Sequence, residues 1–147
     1  MQISLTKATN ADIEELIEIE KTAAGLKIYS PMLIEDEWLV VLDIGVVYLV
    51  EAKGATVGSI CYEKKGESHV RISGLVVEPH FQGQGIGRAA IEKVLEELKD
   101  TKHIDLDVHP ENTKALKLYE SLGFVAKSRK ENFYGDGEPR LILVLSK

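Results

Sequence analysis

Apolar and polar positions along this chain follow two periods, and the switches between them mark out the elements. Ile86, Ala90, Val94 and Leu98 fall four apart with Ile91 and Leu95 beside them, while Glu92, Lys93, Glu96 and Glu97 take the other face. That pattern predicts an amphipathic helix. Directly afterwards Ile104, Leu106 and Val108 alternate with Asp105 and Asp107, the period of a half-buried strand. Upstream, residues 46–53, 56–64 and 68–77 are strand-like runs bounded by glycine or charge, as at Lys53-Gly54 and Lys65-Gly66-Glu67, and predict a meander of three antiparallel strands. Residues 2–7 predict a first strand. Thr9 with Asp12 resembles a capping box opening a helix whose apolar positions include Ile13, Leu16, Ile17 and Ala24. A further helix over 113–122 and a closing antiparallel pair over 124–133 and 140–145 complete the pattern. Residues 26–45 fit neither period: Pro31 breaks the run, Glu35-Asp36-Glu37 precedes Trp38, and the stretch reads as a short helix with irregular flanks.

This order is α+β, with one strand-helix-strand crossover. A chain of 147 residues, 44% apolar and without repeats or low-complexity tracts, suits one domain, 1–147, around a single core. A formal net charge of −6 argues against a nucleic-acid partner, which needs a basic face. A polyanionic ligand would need local positive charge, and Arg88, Lys114 and Lys117 offer it. Cys61 is the sole cysteine, so no intrachain disulfide forms, and its strand position predicts a packed thiol. Residues 1–4 open no targeting pattern, and no apolar stretch approaches the ~20 residues that span a bilayer. The expectation is a soluble cytoplasmic protein with no membrane partner.

The crossover is centred on Gln82-Gly83-Gln84-Gly85-Ile86-Gly87-Arg88. Glycines let backbone N–H groups approach an anion without Cβ interference, and the helix starting there turns its positive end to the same spot. The segment reads as a phosphate cradle, to which Arg88 adds a charge-assisted donor. Gly85-Ile86-Gly87-Arg88-Ala89-Ala90 also satisfies the dinucleotide fingerprint, with Asp105 about twenty residues on. In that fold, however, the first glycine follows directly on a strand, whereas Glu78-Pro79-His80-Phe81-Gln82 intervenes here. A P-loop is excluded because no Gly-Lys-Ser/Thr closes the segment.

The chain resembles the GNAT superfamily of acetyl-CoA-dependent N-acetyltransferases. Its Q/R-x-x-G-x-G/A signature is matched by Gln82, Gly85 and Gly87, and the preceding L-x-V-x-P by Leu75, Val77 and Pro79. A second signature, N-x-x-A-x-x-L-Y-x-x-L-G-F, is matched by Asn112, Ala115, Leu118, Tyr119, Leu122, Gly123 and Phe124. The resemblance implies a GNAT fold: a mixed, mostly antiparallel sheet, splayed at the cofactor site, with flanking helices. It implies acetyl-CoA as co-substrate and no metal. The pyrophosphate would be held by Gln82, Gly83, Gln84, Gly85, Ile86, Gly87 and Arg88, and the pantetheine arm by the strand Leu75, Val76, Val77 and by Asn112. Asn112 could equally cap the helix that follows it.

Acetyl transfer needs a neutral amine, a donor for the carbonyl oxygen and a proton for the departing thiolate. The N–H of Val77, freed if the strand bulges before Pro79, is the candidate donor. Tyr119 is the candidate acid, with a core tyrosine as the alternative. Asp105 and Asp107 share a strand face that His109 continues if the strand persists. The resemblance puts Asp107 where protein-N-terminal acetyltransferases carry a carboxylate, usually glutamate, so the shorter side chain would take the proton through water. No acid occurs at 72–74, where other branches often carry a glutamate. An α-amine with pKa near ~7.8 asks less of such a base than a lysine near ~10.4. Residues 130–137 also resemble the R-x-N-Y-Y…D/G segment of the ribosomal-protein alanine N-acetyltransferase group. This implies that Tyr134 contacts the acceptor, while Phe133 departs from the pattern by lacking a hydroxyl. The expected acceptor is therefore the N-terminal α-amine of a protein or peptide. Two alternatives stay open: a small amine or lysine, favoured by an enclosed acidic pocket around 26–38, and a non-catalytic CoA-binding module. A homodimer also stays open.

Overall fold

The computed structural model describes residues 2–147. Strand β1 (Ile3–Lys7) leads through a 3-10 turn into helix α1 (Ile13–Lys21), and α2 (Glu35–Ile44) precedes the meander β2 (Gly45–Ala52), β3 (Ala55–Gly66) and β4 (His69–Val77). The crossover helix α3 (Ile86–Glu97) leads to β5 (His103–Val108), and α4 (Thr113–Ser121) to the closing pair β6 (Val125–Lys130) and β7 (Arg140–Ser146). The seven strands form one sheet in the order β1-β2-β3-β4-β5-β7-β6, in which only β4 and β5 run parallel. The α+β class, the mixed sheet and the single crossover thus match the sequence reading. No helix among the described residues is long and apolar enough to cross a membrane.

Both faces of the sheet are covered. The α3 stripe of Ile86, Ala90, Ile91 and Val94 packs with Ile60, Val70, Ile72, Ile104 and Leu143 in one core, closed by Tyr119 and Phe124. Ile13, Leu16 and Ile19 of α1 and Trp38 of α2 pack on Val47, Leu49, Cys61 and Val76 in the other. The Thr9–Asp12 capping box is formed in both directions, although it opens a 3-10 turn before α1. Cys61 is a buried free thiol, pushed up to about 12 chiefly by burial.

Several boundaries differ from expectation. The strand expected to run to Phe133 ends at Lys130. There Asn132, at φ 50°, turns the chain and accepts from Gly137 N at 2.6 Å. α1 ends at Lys21, short of Ala24, whereas the short helix expected within residues 26–45 is present as α2, ten residues long.

In the β3–β4 register Cys61 faces Gly74 but Tyr62 faces Ile72, so Ser73 is an extra residue on β4. A one-residue bulge flips the alternation beyond it. Val70 and Ile72 point to the α3 face, whereas Val76 points to the α1 face and Leu75 and Val77 pack on the α3 side.

Gly58 makes the close approach of β3 and β4 possible: a Cβ there would lie 2.2 Å from Val76 O. Gly58→Ala should cost about 3 kcal/mol or more, because backbone must move. Gly54→Ala, at φ +77° with nothing within 4 Å of the added carbon, should cost only about 1 kcal/mol. Urea denaturation midpoints check both.

Candidate active site

β4 and β5 pair over only three positions, His69–His103, Val70–Ile104 and Arg71–Asp105, and then part. Side chains clamp the closed end: His69 Nε2 lies 2.5 Å from Asp105 Oδ2, and Arg71 is ion-paired with Asp107. Beyond it, Glu78 N donates to Val57 O (2.8 Å), which fixes the antiparallel alternation. Gly74, Val76 and Glu78 turn their polar groups to β3, so Leu75 and Val77 turn theirs into the gap. The Val77 N–H is therefore exposed by the parting of the strands. The bulge expected before Pro79 sits instead at Ser73. Gln82 Nε2 donates to Val77 O at 2.8 Å, so this side chain braces the strand end. Val76 faces the α1 core, with its polar groups on β3.

At the mouth of the gap Gly83 and Gly85 adopt φ +79° and +81°, and no atom lies within 4 Å of a Cβ built on either. Gly85 caps α3, whose first intrahelical bond is Ala89 N to Gly85 O at 3.0 Å. The N–H groups of Ile86, Gly87 and Arg88 precede that bond and carry the positive end of the helix dipole. This open, donor-lined turn fits a pyrophosphate. Gly87 lies against β4, its Cβ position 3.9 Å from Val77 Cγ2, which brings cradle and strand end together. The Ile86 side chain is core, and the side chains of Arg88 and Gln84 bond Ser121 Oγ (2.7 Å) and His80 O (3.4 Å). The cradle is thus made by main chain. Asn112 caps α4, its Oδ1 accepting from Ala115 N at 3.3 Å, and it also lines the gap.

The gap opens into a cavity of about 370 Å³ whose walls bring together Leu75, Asp107, Asn112, Tyr119, Tyr134 and Glu20. Tyr119 is 8% exposed, edge-on to Phe124, and pushed up to about 12 by burial and then by the Asp107 charge, so it keeps its proton at neutral pH. Asp107 is a hub. Its Oδ1 accepts from Arg71 and from Tyr134 Oη (2.6 Å), and its Oδ2 lies 3.8 Å from Arg140 Nε. Arg140 also stacks 5.2 Å over the Tyr134 ring, so the β6–β7 turn is pinned over the cavity. β5 ends at Val108, and His109 leaves the Asp105–Asp107 face to be buried against Glu138 (2.7 Å).

Glu20 is the residue that sequence reading missed. It is 4% exposed on α1, with Oε1 accepting from Tyr29 Oη (3.2 Å) and Met32 N (3.3 Å) and Oε2 without a partner. Burial, only partly offset by those two bonds, pushes its carboxyl up to about 7. The signal was present: Glu20 lies four residues after Leu16 and seven after Ile13, on the apolar stripe of the helix.

The acetyltransferase (GNAT) family model matches residues 12–124. The chain belongs to that family. GNAT enzymes use acetyl-CoA, and the cradle and parted strands suit its pyrophosphate and extended arm. The ribosomal protein bS18 alanine N-acetyltransferase of Escherichia coli K12 is 39% identical over 62 residues, 41% of this chain and 42% of that protein's length. The N-alpha-acetyltransferase 30 of Saccharomyces cerevisiae is 28% identical over 145 residues, 92% of this chain and 81% of that one. A crystal structure of the E. coli ribosomal-protein-S18-alanine N-acetyltransferase superposes with a TM-score of 0.85, covering 99% of this chain and 94% of that one. At 24% identity this likeness establishes the GNAT fold.

The raised Glu20 carboxyl has a consequence for stability. Between its ordinary value of 4.5 and about 7 the unfolded chain has released this proton while the folded chain keeps it. The group's contribution is therefore full below 4.5 and is lost as pH rises through the folded value, by up to about 3 kcal/mol. Glu20→Gln has no such loss. The variant should gain on wild type steadily from pH 5 to 7.5 and hold that gain above, as read from denaturation midpoints at each pH.

Proposed function

We propose that residues 1–147 act as one N-acetyltransferase domain that moves the acetyl group of acetyl-CoA to a primary amine, the N-terminal α-amine of a protein or peptide. The observation that carries this reading is the parting of β4 and β5. It turns the Val77 N–H into the gap between the pyrophosphate cradle and a cavity walled by a protonated Tyr119. When bound, acetyl-CoA supplies an acyl group activated as a thioester. Main-chain N–H groups of residues 83–88 hold its phosphates, and Leu75, Val77 and Asn112 align its arm. The Val77 N–H donates to the carbonyl oxygen, a preorganised bond of roughly 3 kcal/mol in such sites. Tyr119 Oη carries the proton for the departing sulfur. Asp107, with Arg71 and Arg140 on its oxygens, holds Tyr134 at the acceptor's entrance.

Two observations support an α-amine. The relatives described above are named for protein N-terminal acetylation, and Tyr134 is 44% exposed at the rim, where a peptide would pass. A free small amine is the second reading, favoured by the acidic character that Glu20, Glu37 and Glu63 give the cavity. Acetyl-CoA turnover against N-terminal peptides, lysine peptides, polyamines and aminoglycosides separates the two. Peptides with free N-termini should lead, and turnover of polyamines alone would overturn the α-amine reading.

Two substitutions test the machinery. Gly85→Val places a β-branched residue at φ +81° in the cradle and should weaken acetyl-CoA binding about tenfold or more in a folded protein, measured by calorimetry. Tyr119→Phe keeps the ring against Phe124 and should lower kcat about 100-fold with acetyl-CoA affinity unchanged, measured by steady-state kinetics and titration.

A further inference from the structure

Two side-chain polar atoms among the described residues are buried without a hydrogen bond, Arg140 Nη2 and Glu20 Oε2. Arg140 Nη2 still has the Asp136 carboxylate 3.5 Å away. Glu20 has no ion pair: Tyr29 and Met32 both bond Oε1, and the second oxygen is buried without a partner on a side chain that lines the cavity. An orphaned buried carboxylate oxygen is the complement of an ammonium group. Tyr29 Oη, 3.2 Å from Glu20, lies 3.7 Å from where a Gly74 Cβ would stand. Tyr29 thus bridges the carboxylate to Gly74 of β4, and Glu20, Gly74 and Leu75 line the same cavity.

We propose that Glu20 is the acceptor-side base, receiving the incoming amino group at Oε2 and taking its proton. This rests on the acetyl-transfer reading above and specifies its acceptor. The ammonium gives one proton to Glu20, and the freed lone pair forms the C–N bond as the C–S bond breaks. Tyr119 protonates the sulfur and regains a proton from the acylated nitrogen, and Glu20 returns its own to solvent. The charged and titratable groups that line the cavity with Glu20 are Tyr29 beside it, Cys61, Glu63 and Lys65 of β3, Glu37 of α2, and Arg71, Asp107, His109, Tyr119, Tyr134 and Arg140, with Lys65 paired to Glu63. Both Arg71 and Tyr134 bond Asp107. Glu20, held near 7 by burial, matches an α-amine of pKa ~7.8 far better than a lysine of ~10.4. The acceptor class that follows is a weakly basic primary amine.

The test is the pH profile of kcat/KM for wild type, Glu20→Gln and Glu20→Ala on a lysine-free peptide with a free N-terminal alanine. Melting temperature and acetyl-CoA affinity serve as controls. Reaction between ionised Glu20 and the ammonium form makes the wild-type profile a bell with its maximum between about 7 and 8. Glu20→Gln still accepts from Tyr29 and Met32 but takes no proton, so it should use only amine already neutral in solution. Its profile should rise to a plateau near pH 9, about 100-fold below wild type at pH 7 and converging above pH 8. Peptide binding to the CoA complex at pH 7, by calorimetry, should weaken at least tenfold. Superimposable wild-type and Glu20→Gln profiles, with only Glu20→Ala impaired, would make Glu20 a strut for residues 22–34 and overturn the proposal. If the peptide is inert but another amine is turned over and shows the same bell and the same loss, the α-amine reading fails and Glu20 stands as the base. Wild type that neither binds nor acetylates any amine overturns both.

Discussion

Backbone polar groups in the middle of a sheet must find partners, and the last residues of β4 do not find them in β5. Everything at the candidate site follows from that parting. Three paired positions and the His69–Asp105 and Arg71–Asp107 contacts hold the closed end. Past them the N–H and C=O groups of Leu75 and Val77 face a gap. The Val77 carbonyl is satisfied by Gln82, which leaves the Leu75 and Val77 N–H groups and the Leu75 carbonyl for an extended ligand. The crossover helix has to begin at the same end of β4, so its N-terminus arrives beside the gap. Strand parting and phosphate cradle are therefore two results of one connection, and Gly87 against Val77 is where they meet.

Two of the carboxylates that line the cavity stand in opposite circumstances. Asp107 has a guanidinium or a phenol on each oxygen, and its charge is used to fix the β6–β7 turn and Tyr134. Glu20 has no counter-charge and lies in an apolar helix face, where burial favours its protonated form. Surroundings this different suit the two carboxylates to different work. The carboxylate that family resemblance singles out is the organised one, and the one with a free oxygen comes from α1.

The crossover, the meander and the cradle were legible because their signals are local: one amphipathic period, three bounded runs, and glycines spaced along one turn. The Ser73 bulge was not, since register between two strands is set by packing that no window of one strand contains. It decides which side chains face which core, and it moved the expected irregularity away from Pro79. α2 was blurred for a different reason. Its N-terminus has no side-chain cap, and Leu39, Val40 and Ile44 are exposed, so the helix lacks a clean polar face. Asp107 could be placed on its strand face from period two alone. Its partners Arg71, Arg140 and Tyr134 come from two other strands and a turn, and only folding brings them together.

Glu20 ties the least readable part of the chain to the chemistry. Its Oε1 accepts from Met32 N and Tyr29 Oη, two of the bonds that fasten residues 22–34, alongside Trp38 Nε1 to Met32 O and the Lys27–Glu111 ion pair. Hydrogen bonds to an ionised carboxylate are stronger than those to a neutral acid. The segment is therefore held tightest when Glu20 is charged, the state ready for an ammonium, and less firmly once the proton has moved. With Glu20 as base, proton transfer and the grip on residues 22–34 share one side chain. Selection of the acceptor and its activation then fall to the same helix, while α3 and β4 deal with the acetyl donor from the opposite side of the gap.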